Sequence, residues 1–199
     1  IAQSLVTAWL RVGDVEKARQ AVQGSDLLDD DETMGWLALY DGDLVSARKR
    51  LARAETRRPE LVDALGLLSR ARVDRSPALG AAFLMLAKRD TAAAAAAFAV
   101  LADSIGDAAP ALLALSARLA YSMRSHAQAM TLWDRIIKDF PKSPEAPEAL
   151  LASARALRAA GNNAAAMTRL ETLLIDYPDS ALLPQGRREL EQLKRGSPL

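Results

Sequence analysis

The 199-residue chain has no cysteine. This excludes a disulfide framework and any thiolate chemistry, and it selects no compartment. A single histidine, His126, lacks the second imidazole or the thiolates that a metal site needs at matched spacing. It reads as a surface or turn residue. Aromatic residues make up only 5% of the chain and β-branched runs are few, so strand signals are scarce. No apolar run approaches the ~20 residues that span a bilayer. The Ala-rich stretch from Thr91 to Ala102 is short and closely flanked by charges, as in a soluble helix. An excess of one charge is missing too. The formal net charge is +1, so no global field selects nucleic acid or an acidic membrane. Gly-x-Gly-x-x-Gly, Walker and Gly-x-Ser-x-Gly motifs do not occur. No carboxylate stands in a recognisable catalytic setting. The expectation is therefore a protein without catalytic residues, cofactor or metal. The chain opens on Ile1 in mid-pattern and reads as a piece of something longer, with any targeting segment outside it.

Half of the residues are hydrophobic, and Ala, Leu, Arg and Glu, all strong helix formers, dominate. Apolar positions recur with helical period: Ala146, Leu150, Ala154 and Leu157 share one face. Breaks are frequent, at Gly13-Asp14, Gly42-Asp43, Arg58-Pro59, Ser76-Pro77, Gly106-Asp107, Phe140-Pro141, Gly161-Asn162 and Tyr177-Pro178. The helices between them run about 12–16 residues. Ser76-Pro77 and Ser143-Pro144 each suggest an N-cap followed by Pro at the first helical position. Many short helices with tight turns predict stacked helical hairpins.

One phrase is written twice. Phe140 opens "FPKSPEAP" and Tyr177 opens "YPDSALLP", both aromatic-Pro-x-Ser-x-x-x-Pro and 37 residues apart. Such a period marks a solenoid of helix pairs. Each phrase is expected to end one pair and start the next. The aromatic closes the preceding core, the first Pro stops the helix and Ser is a candidate cap. The second Pro lies near the next first turn, where a missing N–H costs least.

These features resemble tetratricopeptide repeats, whose pattern is W-x₂-L-G-x₂-Y, then A-x₃-F, then P. The Ala-x₃-large step appears as Ala47/Leu51, Ala129/Trp133 and Ala166/Leu170, each Ala followed after 12 residues by Pro59, Pro141 or Pro178. Met34-Gly35 matches the Leu-Gly pair, and Gly13-Asp14, Gly42-Asp43 and Gly161-Asn162 match the turn inside each pair. The resemblance implies an all-α, right-handed α-solenoid of antiparallel helix pairs with an irregular middle third. The units are expected at about 1–24 (cut short), 30–56, 76–105 (divergent, after an irregular helix 60–73), 108–140 and 144–177, with a closing helix at 181–195. Ala94 and Phe98 supply the step in the divergent unit. The longer aromatic-Pro-x-Ser-x-x-x-Pro spacer is similar to repeats of bacterial cell-envelope proteins, namely the periplasmic Tol-Pal accessory protein and the outer-membrane assembly lipoprotein. That likeness implies a bacterial periplasmic or envelope setting.

Several clusters compete as candidate sites. Asp29-Asp30-Asp31-Glu32 lacks the alternating ligands and Gly of a calcium loop, and a helix N-terminus explains it more simply. Trp133 stands at the large packing position and is expected in the core, whereas Trp9 and Trp36 remain open as stacking surfaces. The helix "SARKRLARAETRR" carries Arg48, Lys49, Arg50, Arg53, Arg57 and Arg58. Arg50, Arg53 and Arg57 share a face that could track phosphates, or simply be solvated. In tetratricopeptide arrays the first helix of each pair lines the concave groove. On that register Ala114/Arg118/Tyr121, Leu151/Arg155/Arg158 and Arg188/Gln192/Arg195 form one stripe, each set 37 residues after the last. The resemblance thus implies a non-catalytic scaffold that binds a partner protein or acidic peptide through Arg118, Tyr121, Arg155, Arg158, Arg188, Gln192 and Arg195. The alternatives are nucleic-acid binding through the basic helix 48–58, and an accessory module of a longer cell-wall enzyme. Self-association through an exposed end of the stack is a further expectation.

Overall fold

The computed structural model describes residues 1–55 and 58–196, which form twelve α-helices and no strand. In chain order these are α1 Ala2–Val12, α2 Val15–Val22, α3 Asp31–Tyr40, α4 Leu44–Leu51, α5 Pro59–Arg70, α6 Pro77–Ala87, α7 Thr91–Leu101, α8 Ala109–Ser122, α9 His126–Asp139, α10 Glu145–Ala159, α11 Asn163–Asp176 and α12 Leu183–Gly196. They pack in sequential pairs, so the protein is an all-α helical repeat. Two compact units divide the chain, Ile1–Leu119 and Ala120–Leu199, and the division falls inside α8.

One local rule builds every pair. Five turns inside helix pairs place a residue at positive φ: Gly13, Gly42, Arg89, Arg124 and Gly161. In each, that residue's N–H reaches the carbonyl three residues back and the next N–H the carbonyl five back, for example Gly13 to Leu10 (3.0 Å) and Asp14 to Trp9 (2.9 Å). This pattern closes the first helix with a left-handed cap. The following residue starts the second helix. Asp14, Asp43, Asp90 and Asn162 accept from the N–H three residues on, at 2.9, 3.0, 3.1 and 3.2 Å, which satisfies an otherwise orphaned donor. Four residues after the cap comes Ala18, Ala47, Ala94, Ala129 or Ala166, and each is fully buried. The large partners Leu51, Phe98, Trp133 and Leu170 are buried beside them. Ala18 and Val22 form a fifth step that the pattern for a large residue passes over.

In the first unit, α3 packs on α4 and on α6, while α5 packs on α4. Helix α5 lies between the α3–α4 and α6–α7 pairs, and the chain is pinned on leaving it. Leu44 N–H donates to the Asp74 carbonyl (3.0 Å) and Ser76 N–H to the Gly42 carbonyl (2.9 Å). Gly42 therefore needs both its φ of +74° and its lack of a side chain, because a Cβ would lie 2.7 Å from the Pro77 backbone. Gly80 lets α6 approach the end of α3; a Cβ there would lie 2.5 Å from the Leu39 carbonyl oxygen. Ser76 caps α6 by accepting from Leu79 N–H at 3.2 Å. The buried Ser116 hydroxyl donates to the Ala95 carbonyl (2.8 Å), joining α8 to α7.

In the second unit, α10 packs against α9 and α11, and α11 against α12. Their core gathers Leu150, Leu151, Ala154, Leu170, Leu173, Leu190 and Leu193, with half-buried Tyr177 against it. The twin phrases meet here: the Tyr177 hydroxyl donates to the Pro141 carbonyl at 2.8 Å. Their serines behave differently. Ser180 accepts from Leu182 N–H at 3.2 Å. Ser143 is not a cap, contrary to the expectation. Helix α10 begins one residue later, with Pro144 in the cap position, and the Ser143 hydroxyl oxygen is buried without a partner.

Candidate partner-binding surfaces

The arginine stripe is partly engaged within the protein. In the first unit, Arg118 of α8 reaches Asp63 of α5 (Nη2 to Oδ2, 2.5 Å). In the second unit, Arg155 of α10 forks onto Glu189 of α12. Its Nη2 lies 2.6 Å from Oε1, and its Nε lies 3.1 and 3.3 Å from Oε1 and Oε2. The hydrogen bond to Glu189 holds the Arg155 guanidinium above its ordinary pKa, against partial desolvation. Arg158 Nη1 meets Gln192 Oε1 at 3.4 Å. Arg195 pairs loosely with Glu191 at 3.9 Å, and Arg188 is exposed on α12. The structure thus joins Arg158 to Gln192 but leads Arg155 to a glutamate outside the stripe. Leu151, which shares a register column with exposed Arg188, is a core residue. On the second helices, Arg169 of α11 similarly reaches Asp134 of α9 at 2.5 Å.

Tyr121, at the end of α8, packs its ring against the edge of His126 (4.9 Å between centroids) and tilts onto Trp133 (5.5 Å). His126 is exposed at the start of α9, and Trp133 is only 4% exposed, in the core. Beside these rings lies a pocket of about 290 Å³, lined by Tyr121, His126, Met130, Ala156, Leu157 and Ala160. Its walls are small and mostly apolar, so it suits a single aliphatic side chain. Arg155 and Arg158 are exposed on the same helix as its alanines.

A second concavity lies wholly in the first unit. A cleft of about 350 Å³ opens between α1, α3, the start of α5 and the end of α6. Val6 and Leu10 of α1, Trp36 and Tyr40 of α3 and Leu61 of α5 form its apolar part. Trp36 stacks on Tyr40 (6.0 Å, 24°) and tilts onto Phe83 (6.1 Å), which meets Phe98 edge-on (5.1 Å). Trp36 therefore joins the core aromatics to the cleft. Burial pushes the Tyr40 phenol up to about 12, opposed in part by the Arg58 charge. Asp30, Glu32, Glu60 and Arg58 supply the charged lining, and Arg58 is ion-paired with Glu32. No contiguous motif announces this cleft, because its walls come from four helices that α5 and α6 bring together.

The basic stretch 48–58 is not one helix, contrary to the expectation: α4 ends at Leu51, Arg53 lies in the turn beyond it and Arg58 precedes α5. Three of its cations are engaged. Arg48 donates from Nε to the Leu68 carbonyl and from Nη2 to the Ala71 carbonyl, both at 2.8 Å. It thereby caps the C-terminal end of α5, where orphaned carbonyls favour a cation. Arg50 pairs with Asp31 at 3.2 Å and Arg58 with Glu32. Arg53 is exposed, and Arg57 lies outside the described residues. The acidic cluster is accounted for by the same contacts: Asp30 caps α3 by accepting from Thr33 N–H at 2.8 Å, while Asp31 and Glu32 take the two arginines. Trp9 lies under Lys17, whose Nζ is 4.6 Å from the ring centroid, a cation–π contact.

Among the described residues, no group of three or more acidic or histidine side chains could hold a metal ion, and no helix is long and apolar enough to cross a membrane. No curated protein matches the chain. Residues 111–143 and 148–180 each match the family model of the tetratricopeptide repeat, the second starting 37 residues after the first. The chain carries tetratricopeptide repeats over residues 111–180, and such repeats are in general protein-interaction scaffolds, typically without catalysis.

Proposed function

We propose that the chain is a non-catalytic scaffold that holds an acidic, partly aliphatic peptide segment of a partner protein on the first helices of its second unit. The observation that carries this reading is the pocket at Tyr121, His126, Met130, Ala156 and Ala160, with exposed arginines on the same helix, α10. Burying one aliphatic side chain there supplies about 1.5–3 kcal/mol. Carboxylates flanking it find Arg158 on α10 and Arg188, Gln192 and Arg195 on α12. Arg155, already oriented by Glu189, is shared or exchanged when a peptide carboxylate arrives. Arg118, paired with Asp63, belongs to the first unit and stands outside this site.

A fluorescein-labelled peptide of alternating Glu and Leu tests the reading by polarisation. Arg155→Ala with Arg158→Ala weakens binding about tenfold or more, and Ala160→Trp, which fills the pocket from an exposed position, also weakens it. Unchanged affinity in both variants contradicts the site. The shared aromatic-Pro-x-Ser-x-x-x-Pro phrase supports a role in bacterial envelope assembly. Fractionation of the source cell tests that setting, and recovery solely from the cytosol contradicts it.

A further inference from the structure

The cleft of the first unit has a different electrostatic character. Among the described residues its charged lining is three carboxylates, Asp30, Glu32 and Glu60, against one guanidinium, Arg58. The Glu32 side chain is only 15% exposed, while the Arg58 side chain that pairs with it is 65% exposed. A carboxylate so shielded from water requires a cation. One such cation, Arg58, is carried on a long side chain that is mostly in solvent, and an ion pair of that kind contributes little on its own. Trp36 and Tyr40 stack within the same cleft. An aliphatic stem can cover such a surface, and a cation is attracted to the ring faces.

We infer that Arg58 stands in for a partner's cation, and that this cleft takes a lysine or arginine side chain from a basic segment of a partner protein. The stem lies along Trp36 and Tyr40, the charged head reaches Glu32 and Glu60, and Arg58 is displaced into solvent. Net negative charge in the lining selects this occupant over an acidic one. The inference is independent of the pocket on the second unit, which favours the opposite charge.

The test uses the whole chain and a fluorescein-labelled peptide of alternating Arg and Leu, with an alternating Gln and Leu peptide as the neutral control. The basic peptide binds and the neutral one does not. Glu32→Gln weakens binding about tenfold, and Glu60→Gln, at an exposed position in the first turn of α5, weakens it severalfold. Arg58→Ala tightens it about three- to tenfold, because the internal competitor is gone. A purely structural Arg58 predicts weakening instead. Absent binding, equal binding of the neutral peptide, or weaker binding by Arg58→Ala overturns the inference. If the Glu–Leu peptide still binds the second unit, the proposed function survives that result. If neither charged peptide binds, both readings fail.

Discussion

Arg89 and Arg124 adopt φ values of 64° and 62°, a region in which a side chain strains the backbone. The three equivalent turns use glycine. Replacing either arginine by glycine should stabilise the protein by about 0.5–1 kcal/mol, the relief of strain exceeding the added chain entropy of glycine; urea unfolding measures it. Gly80→Ala acts in the opposite direction. Its Cβ would press on the Leu39 and Tyr40 carbonyls, so a loss of about 1–3 kcal/mol and a lower Tm are expected. Tyr40 adds a pH dependence. Burial raises its folded pKa from about 10 to about 12, so the folded state holds the proton more tightly. Its contribution is fully present below pH 10 and falls by about 2–3 kcal/mol as pH rises through 12. Tyr40→Phe should remove that share of the alkaline loss in denaturation curves run across this window. At this scale the sequence was legible where one residue does one local job. Trp133 and the Ala-x₃-large positions are in the core because their spacing forces them between two helices. Ser143 misled, because a Ser-Pro pair also fits a helix that begins a residue later.

At the scale of elements, a single side chain closes the end of α5. Arg48 satisfies two carbonyls at its C-terminal end. Arg48→Met keeps the apolar stem and loses both bonds, which should cost about 2–3 kcal/mol and expose the α5–α6 connection to limited proteolysis. Arg48→Lys should not rescue it, since one ammonium cannot reproduce the forked geometry. This role could not be read from the sequence. On a helix rich in Arg and Lys, the solvated and engaged side chains look alike, and only the return of α5 onto α4 distinguishes them. The pairing of α1 with α2 was legible in the Gly13-Asp14 turn, while its buried Ala18/Val22 step escaped a pattern written for a large residue. The arginine stripe shows the same limit. Its spacing was visible, but Glu189 lies outside the stripe, so its clasp on Arg155 was not.

For the molecule as a whole, the 37-residue period organises the second unit and the match of residues 111–180 to the tetratricopeptide repeat. The fold class followed from periodicity and punctuation, which are local. The two concavities are tertiary products of several helices, so neither was legible, although residues of both had been singled out. Binding is therefore the property that tests the account most directly. Amide chemical-shift mapping of the isotope-labelled chain, titrated with the alternating Glu and Leu peptide, reads it residue by residue. The account predicts that the shifts centre on Tyr121, Met130, Arg155, Ala156, Arg158 and Ala160, with weaker effects at Arg188 and Gln192. Saturable shifts confined to the second helices α9 and α11, or no saturable shifts, would contradict it.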